Sequence, residues 1–337
     1  MGQARHIVAE SWKFSLLPSP PRLKRGQALG FWAGHPFGNA EGSGRSIPFL
    51  WGASAPVEIA APGFKEMSFG RGGTSADQGA GTCRVRGNEH AVLLRREDAK
   101  FKATDLHPKA YESSRAMGCS EKQQVGYGTP KGARVDVALL WSGSAESVVE
   151  LRAGDPKLET TAYAVANGVQ VGYSGGPGRQ RAMLWRGSSD SAVELHPKAA
   201  KLSECQGTDG SEQVGTASLN FMSNLPSLWH GSADSWVDLT PKKFPGGAAY
   251  ACAGGIQVGC VALDKDNQRH HAALWTGSAA SFVDLHDLVP KQDFTDSCAW
   301  GVRVDGNRLR IAGEVSLMKD GVSYAQRAAL WEAEVSA

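Results

Sequence analysis

The sequence predicts an all-β protein, a seven-bladed β-propeller of four-stranded antiparallel blades in which an N-terminal strand closes the last blade. Three observations carry that prediction. An apolar step ending at Trp51, Arg95, Trp141, Trp185, Trp229, Trp275 and Trp331 recurs at spacings of 44, 46, 44, 44, 46 and 56 residues. Each copy reads as four short apolar or alternating runs bounded by turn residues. The chain also holds 41 glycines without a three-residue period, which implies many tight turns between short strands. A unit of about 45 residues cannot bury its own apolar face and has to stack on its neighbours.

The elements follow in chain order. Trp12 to Pro18 (WKFSLLP) reads as an outer strand ended by proline, which cannot donate to a ladder. Gly26 to Gly34 opens the first complete unit. The second unit is the least regular, being glycine-rich from Phe69 to Gly81 and carrying Arg95 where the others carry tryptophan. The copy from Thr161 is the clearest. Its strand A is TAYAV, it turns at Asn167-Gly168, and strand B is VQVGYS; Asn-Gly tolerates positive φ and suits a tight hairpin. Strand C is RAMLW, apolar on both faces as a covered middle strand would be, and strand D is SAVEL, ended at His196-Pro197-Lys198. Strand A carries the smallest residues, such as Ala162 and Ala164 or Ala249 and Ala251, and is placed innermost, where sheets converge. The last unit, residues 296 to 333, lacks a D strand. Residues 11 to 18 supply it, so that residues 1 to 337 form one domain and no sheet edge stays open.

Bulk properties restrict the function. With 36 basic and 34 acidic residues the formal charge is +2, which gives no global pull toward nucleic acid or an anionic membrane. No run approaches the roughly 20 apolar residues of a membrane span, and the N-terminus shows no apolar signal region, so a cytoplasmic protein is expected. The six cysteines lack CxxC spacing and are expected to be buried free thiols.

The line ALWTGSAASFVDLH at Ala273 to His286, preceded by AGGIQVG at Ala253, resembles the bacterial HAF-type repeat. The resemblance covers nearly the whole chain and implies the propeller fold; the family has no common activity, and many members are exported, which makes an extracellular location the alternative. The chain departs from the pattern in lacking an export signal and in keeping the histidine before strand C only at His90 and His271.

Most recurrent residues have a structural explanation. The tryptophans end an apolar strand at the same point of each unit and are expected in the core. The strand D acids Glu58, Asp105, Glu150, Glu194, Asp238 and Asp284 sit on separate units, too far apart for a carboxylate pair within about 10 Å, and are expected to bond a turn amide or a Trp or Ser donor. The connection from D to the next A carries Pro-Lys at Lys109, Lys157, Lys198, Lys242 and Lys291, with Lys65 and Arg22 in similar places and His107, His196 and His286 beside them. These residues predict a ring of positive charge that docks an anionic small ligand or an acidic protein. Asp264, Asp266, Asn267, His270 and His271 crowd one loop and offer a weaker divalent-ion site. No other cofactor is expected, and no phosphate loop, HExxH or GxSxG motif occurs. The sequence therefore leans toward a monomeric, non-catalytic scaffold that binds a ligand or protein. An enzyme, a hydrolase or lyase with its site at the mouth of a central channel, is the alternative.

Overall fold

The computed structural model describes residues 6–19, 23, 25–42, 45–52, 55–74, 77–97, 100–266, 268–291, 293–319 and 322–336. Its regular structure is antiparallel β-sheet with single 3-10 turns. Four-stranded units span residues 25–58, 65–105, 111–151, 160–194, 202–238 and 246–284. The unit over 296–336 has three strands of its own and takes its fourth from the N-terminus. There Lys13–Leu16 runs antiparallel to Val322–Ser336 with Phe14 opposite Trp331, and the two rings lie 5.5 Å apart. His6–Ile7 adds a further short pairing to the end of the same strand.

The clearest unit shows why these residues form these strands. Thr160–Ala166, Val169–Ser174 and Arg181–Trp185 pair in sequence, with the hairpin turn at Asn167 and Gly168, both at positive φ. Strand D is shorter than the SAVEL run suggests, only Val193–Glu194. The residues before it are drawn into a 3-10 turn: Arg186 N–H donates to Ser191 Oγ at 2.7 Å, and that hydroxyl donates to the Ser188 carbonyl at 2.6 Å. A serine hydroxyl that satisfies local backbone groups competes with ladder pairing. Ser147, Ser235 and Ser281 make the same turn in their units.

Every regular strand A carries a bulge, for example between Ala162 and Ala164, and strand B places a glycine beside it, here Gly172. A bulge bends and twists the strand that carries it. The first strand of each unit packs against that of the next, and Asp296–Asp305 packs against Arg25–Trp32. Two single parallel pairings, Gln326 with Arg25 and Gly118 with Gly72, link neighbouring units.

The core lies between the sheets. One cluster joins Val125, Leu140 and Leu151 to Ala162, Met183 and Trp185 of the following unit, and another joins Ala312 and Ala328 to Ala28, Phe31 and Trp51. Trp141, Trp185, Trp229, Trp275 and Trp331 are fully buried, in agreement with the core role expected of them. All six cysteines are buried thiols, with no disulfide among the described residues.

Candidate functional site

A cavity of about 1330 Å³ opens where the A-to-B turns converge. Its wall comes from residues 29–31, 119–123, 164–168, 208, 250–252 and 301–303, together with Arg95 and Ser142. Small residues such as Gly30, Ala164, Ala166, Ala251 and Gly301 alternate there with larger ones such as Phe31 and Tyr250. Its charged groups are Arg95, Lys122, Arg303 and Glu121. The Arg303 Nε donates to both Asp305 carboxylate oxygens, at 2.9 and 2.7 Å, which with Arg310 hold that carboxyl down at about 2.

Buried glutamines of strand B fix the rim. Gln124, Gln170, Gln213 and Gln257 each accept, through Oε1, the N–H of a turn glycine two residues beyond the tryptophan, at 2.9, 2.8, 2.6 and 2.8 Å. Several of their amide groups reach the preceding unit: Gln124 Nε2 donates to Gln78 Oε1, Gln170 to Gln123 and Gln257 to Glu212. Sequence reasoning passed over these residues, although their fixed place before Val-Gly was a signal.

Arg95 occupies the tryptophan register. It pairs with Gln78 as Trp141 pairs with Gln124 and Trp185 with Gln170. Whereas those tryptophans are buried, Arg95 is exposed, and its Nη2 lies 3.7 Å from the point where a Cβ on Gly143 would sit. Among the described residues no ion pair engages the side chain of Arg95 or of Lys122.

The residues singled out in the sequence fall elsewhere. Lys109, Lys157, Lys198, Lys242 and Lys291 are all exposed, on connections at the opposite ends of the A strands from the cavity. Lys291 pairs with Asp287 at 3.3 Å; Arg22 lies outside the described residues. The histidines beside them point into the seams between units. Ala91, Ala182 and Ala272 donate their backbone N–H to Ser114, Ser203 and Ser297 at 3.0, 2.9 and 2.8 Å. Each of these hydroxyls also shares a hydrogen bond with Nδ1 of His107, His196 or His286, at 2.8, 2.7 and 2.8 Å. His196 completes the relay by donating from Nε2 to the Ala200 carbonyl at 3.1 Å. Burial lowers the pKa of all three imidazoles, that of His286 to about 4. A serine and histidine at this distance resemble a nucleophile and its base, but the hydroxyls belong to residues at most 3% exposed and already accept an amide.

The Asp264 loop is likewise divided. His271 turns to Asp284 at 2.9 Å and stacks on His286, with ring centroids 4.0 Å apart, while Asp264 accepts the Gln268 N–H. His270 is bound through its backbone N–H to Asp296, burial lowers its pKa, and Asn267 lies outside the described residues. Three strand D acids bind turn amides, as expected: Asp105, Asp238 and Asp284 accept the N–H of His107, Thr240 and His286. Glu150 instead binds Tyr111 and Arg152, and Glu194 binds Arg181. A donor group that the sequence did not reveal is Asp209, Glu212 and Cys252, whose ligand atoms lie within 4.8 Å of one another. The protein itself occupies that group. Asp209 caps its own turn and Gly254, Glu212 accepts from Gln257, and burial, with the two carboxylates adding to it, holds the Cys252 thiol protonated.

Fold and cavity together define a propeller-like all-β protein. No family model matches the chain, and no curated protein does. Solved structures do match it. A puromycin hydrolase is similar at a TM-score of 0.56 and 14% identity, over 93% of this chain and 54% of that one. The S511A mutant of a puromycin hydrolase complexed with PGG gives 0.51 and 12%, over 89% and 53%. An acylaminoacyl peptidase from Pyrococcus horikoshii gives 0.52 and 9%, over 86% and 50%. The chain spans about half the length of these proteins. At such identities the likeness establishes the fold. The expectation of a non-catalytic scaffold is corrected on this point, because these three neighbours are two puromycin hydrolase structures and a peptidase. The leaning toward a non-catalytic scaffold is withdrawn. No helix is long and apolar enough to cross a membrane among the described residues.

Proposed function

We propose that the chain is a closed ring of seven four-stranded blades, one domain, that receives substrate for a peptidase-like hydrolase. The cycle of contacts from the first inner strand to the last, and the N-terminal strand beside Trp331, support the closed ring. The observation that carries the functional reading is the cavity of about 1330 Å³ at the inner-strand turns, which is large enough for a short peptide. Its polar wall binds and orients. Among the described residues it pairs no nucleophile with a base, so the group that attacks the scissile bond is expected on a hydrolase module acting at the cavity mouth. Membership of the HAF-type repeat group and a cytoplasmic location, with which six buried thiols accord, belong to the same reading.

The test is to incubate the protein with puromycin, aminoacyl anilides and short peptides, and to measure both turnover and equilibrium binding. Peptide binding that is lost when Ala164 or Ala166 on the cavity wall is enlarged supports the reading. Neither turnover nor binding at millimolar concentration refutes it.

A further inference from the structure

The substitution of arginine for tryptophan in one unit gives the cavity a chemical preference. At the other copies of this register an indole fills the wedge between sheets, and Trp141 and Trp185 are fully buried there. In the second unit the same backbone position sends a guanidinium to the cavity wall, beside Gly143. The glycine turn is missing from that unit too, since Arg96 and Glu97 continue the strand Asn88–Glu97. Gln78 consequently has no turn amide of its own to hold. It accepts from Gln124 instead and donates its Nε2 to the carbonyls of Ser120 and Glu121, which fixes the turn that carries Lys122.

Two cations, Arg95 and Lys122, therefore line the cavity, neither with a carboxylate partner among the described residues, whereas Arg303 is already held by Asp305. Among the described residues Glu121 is the only acid in the lining. A guanidinium presents a planar fork that matches a carboxylate or phosphate in two parallel hydrogen bonds. A concave site raises the strength of such a pair over that of an open surface.

We propose that Arg95 and Lys122 form an oxyanion-recognition site in the cavity, which takes the anionic end group of a small ligand, a carboxylate or a phosphate. If the cavity receives peptides, as argued above, that group is the free C-terminal carboxylate, and this part of the inference rests on that reading. The anion site itself does not.

The experiment is titration calorimetry of the whole protein with four probes: a tripeptide with a free C-terminus, the same peptide as its C-terminal amide, inorganic phosphate, and acetate. The expected result is that the acid peptide binds at least tenfold more tightly than the amide. Arg95→Ala should remove that preference and Lys122→Ala weaken it, with the melting temperature unchanged. Arg95→Trp, which restores the residue of the other units, should abolish anion binding while the protein stays folded. Binding of phosphate or acetate but of no peptide upholds the anion site and refutes the peptide reading. Equal binding of acid and amide, or anion binding that survives both Arg95 variants, overturns the proposal, as does the absence of binding by all four probes at millimolar concentration.

Discussion

Gly172 offers the sharpest test of the packing argument. A Cβ at this position would lie 1.8 Å from the Thr161 carbonyl oxygen and 2.9 Å from the Ala162 Cα, all of it backbone of the neighbouring strand. Carbon and oxygen need about 3.3 Å, so the Gly172→Ala protein has to part the two strands by about 1.5 Å. Overpacking of this kind costs roughly 1–3 kcal/mol. Parting the strands also breaks about two ladder hydrogen bonds, at about 1 kcal/mol each. The expected loss is about 3–5 kcal/mol. Gly168 is the control. It sits at φ +77° with nothing within 4 Å of its Cβ position, so Gly168→Ala carries only the left-handed backbone cost of roughly 1–2 kcal/mol. Urea unfolding followed by tryptophan fluorescence separates the two, since a slope of about 2–3 kcal/mol/M turns the difference into roughly 1 M of midpoint. Equal midpoints for the two variants would refute the account of strand B glycine as a site of obligatory close approach.

Further outcomes follow from the seams and the chain ends. Ser203→Ala leaves the Ala182 amide and His196 Nδ1 without their shared hydroxyl and should cost about 1–3 kcal/mol; a change within error in the urea midpoint would contradict the relay. The His286 imidazole titrates at about 4 in the fold against 6.5 in the unfolded chain. The unfolded state binds the extra proton between those values. Stability from this group is thus complete above pH 6.5 and is lost as pH falls toward 4, by about 3 kcal/mol. Urea midpoints measured from pH 7 to pH 4 should fall accordingly in the native protein and less in His286→Gln, and identical profiles would sink the assignment. Deletion of residues 1–18 removes the strand beside Trp331 and should lower the melting temperature by several degrees, which scanning calorimetry would detect.

Much of the architecture was legible because duplication writes it as a period. The A, B and C strands around Asn167 and the N-terminal strand at Trp12 to Pro18 could all be read from runs of apolar residues between turn signals. Strand D could not, because Ser191 looks like the start of a strand and instead folds its hydroxyl back on Ser188. The histidines misled for a related reason. His107, His196 and His286 stand near exposed lysines in sequence, yet, just past the end of strand D, they turn inward to serines of the next unit's first strand, and no one-dimensional spacing displays that seam. The cavity residues were the least visible. Arg95 was noticed only as an irregularity, and its neighbourhood with Lys122 arises from two units whose turns meet in space.

The pairing of Phe14 with Trp331 has a consequence for biosynthesis. The strand Lys13–Leu16 is completed by one that is synthesised more than 300 residues later. At roughly 5–20 residues per second the leading segment waits about 15–60 s for its mate, with Phe14 exposed in the interval. Every other unit forms its four strands from chain already at hand. The nascent protein therefore passes through a long-lived state in which Lys13–Leu16 lacks its partner strand, and a stop before Val322 leaves its backbone open to other chains.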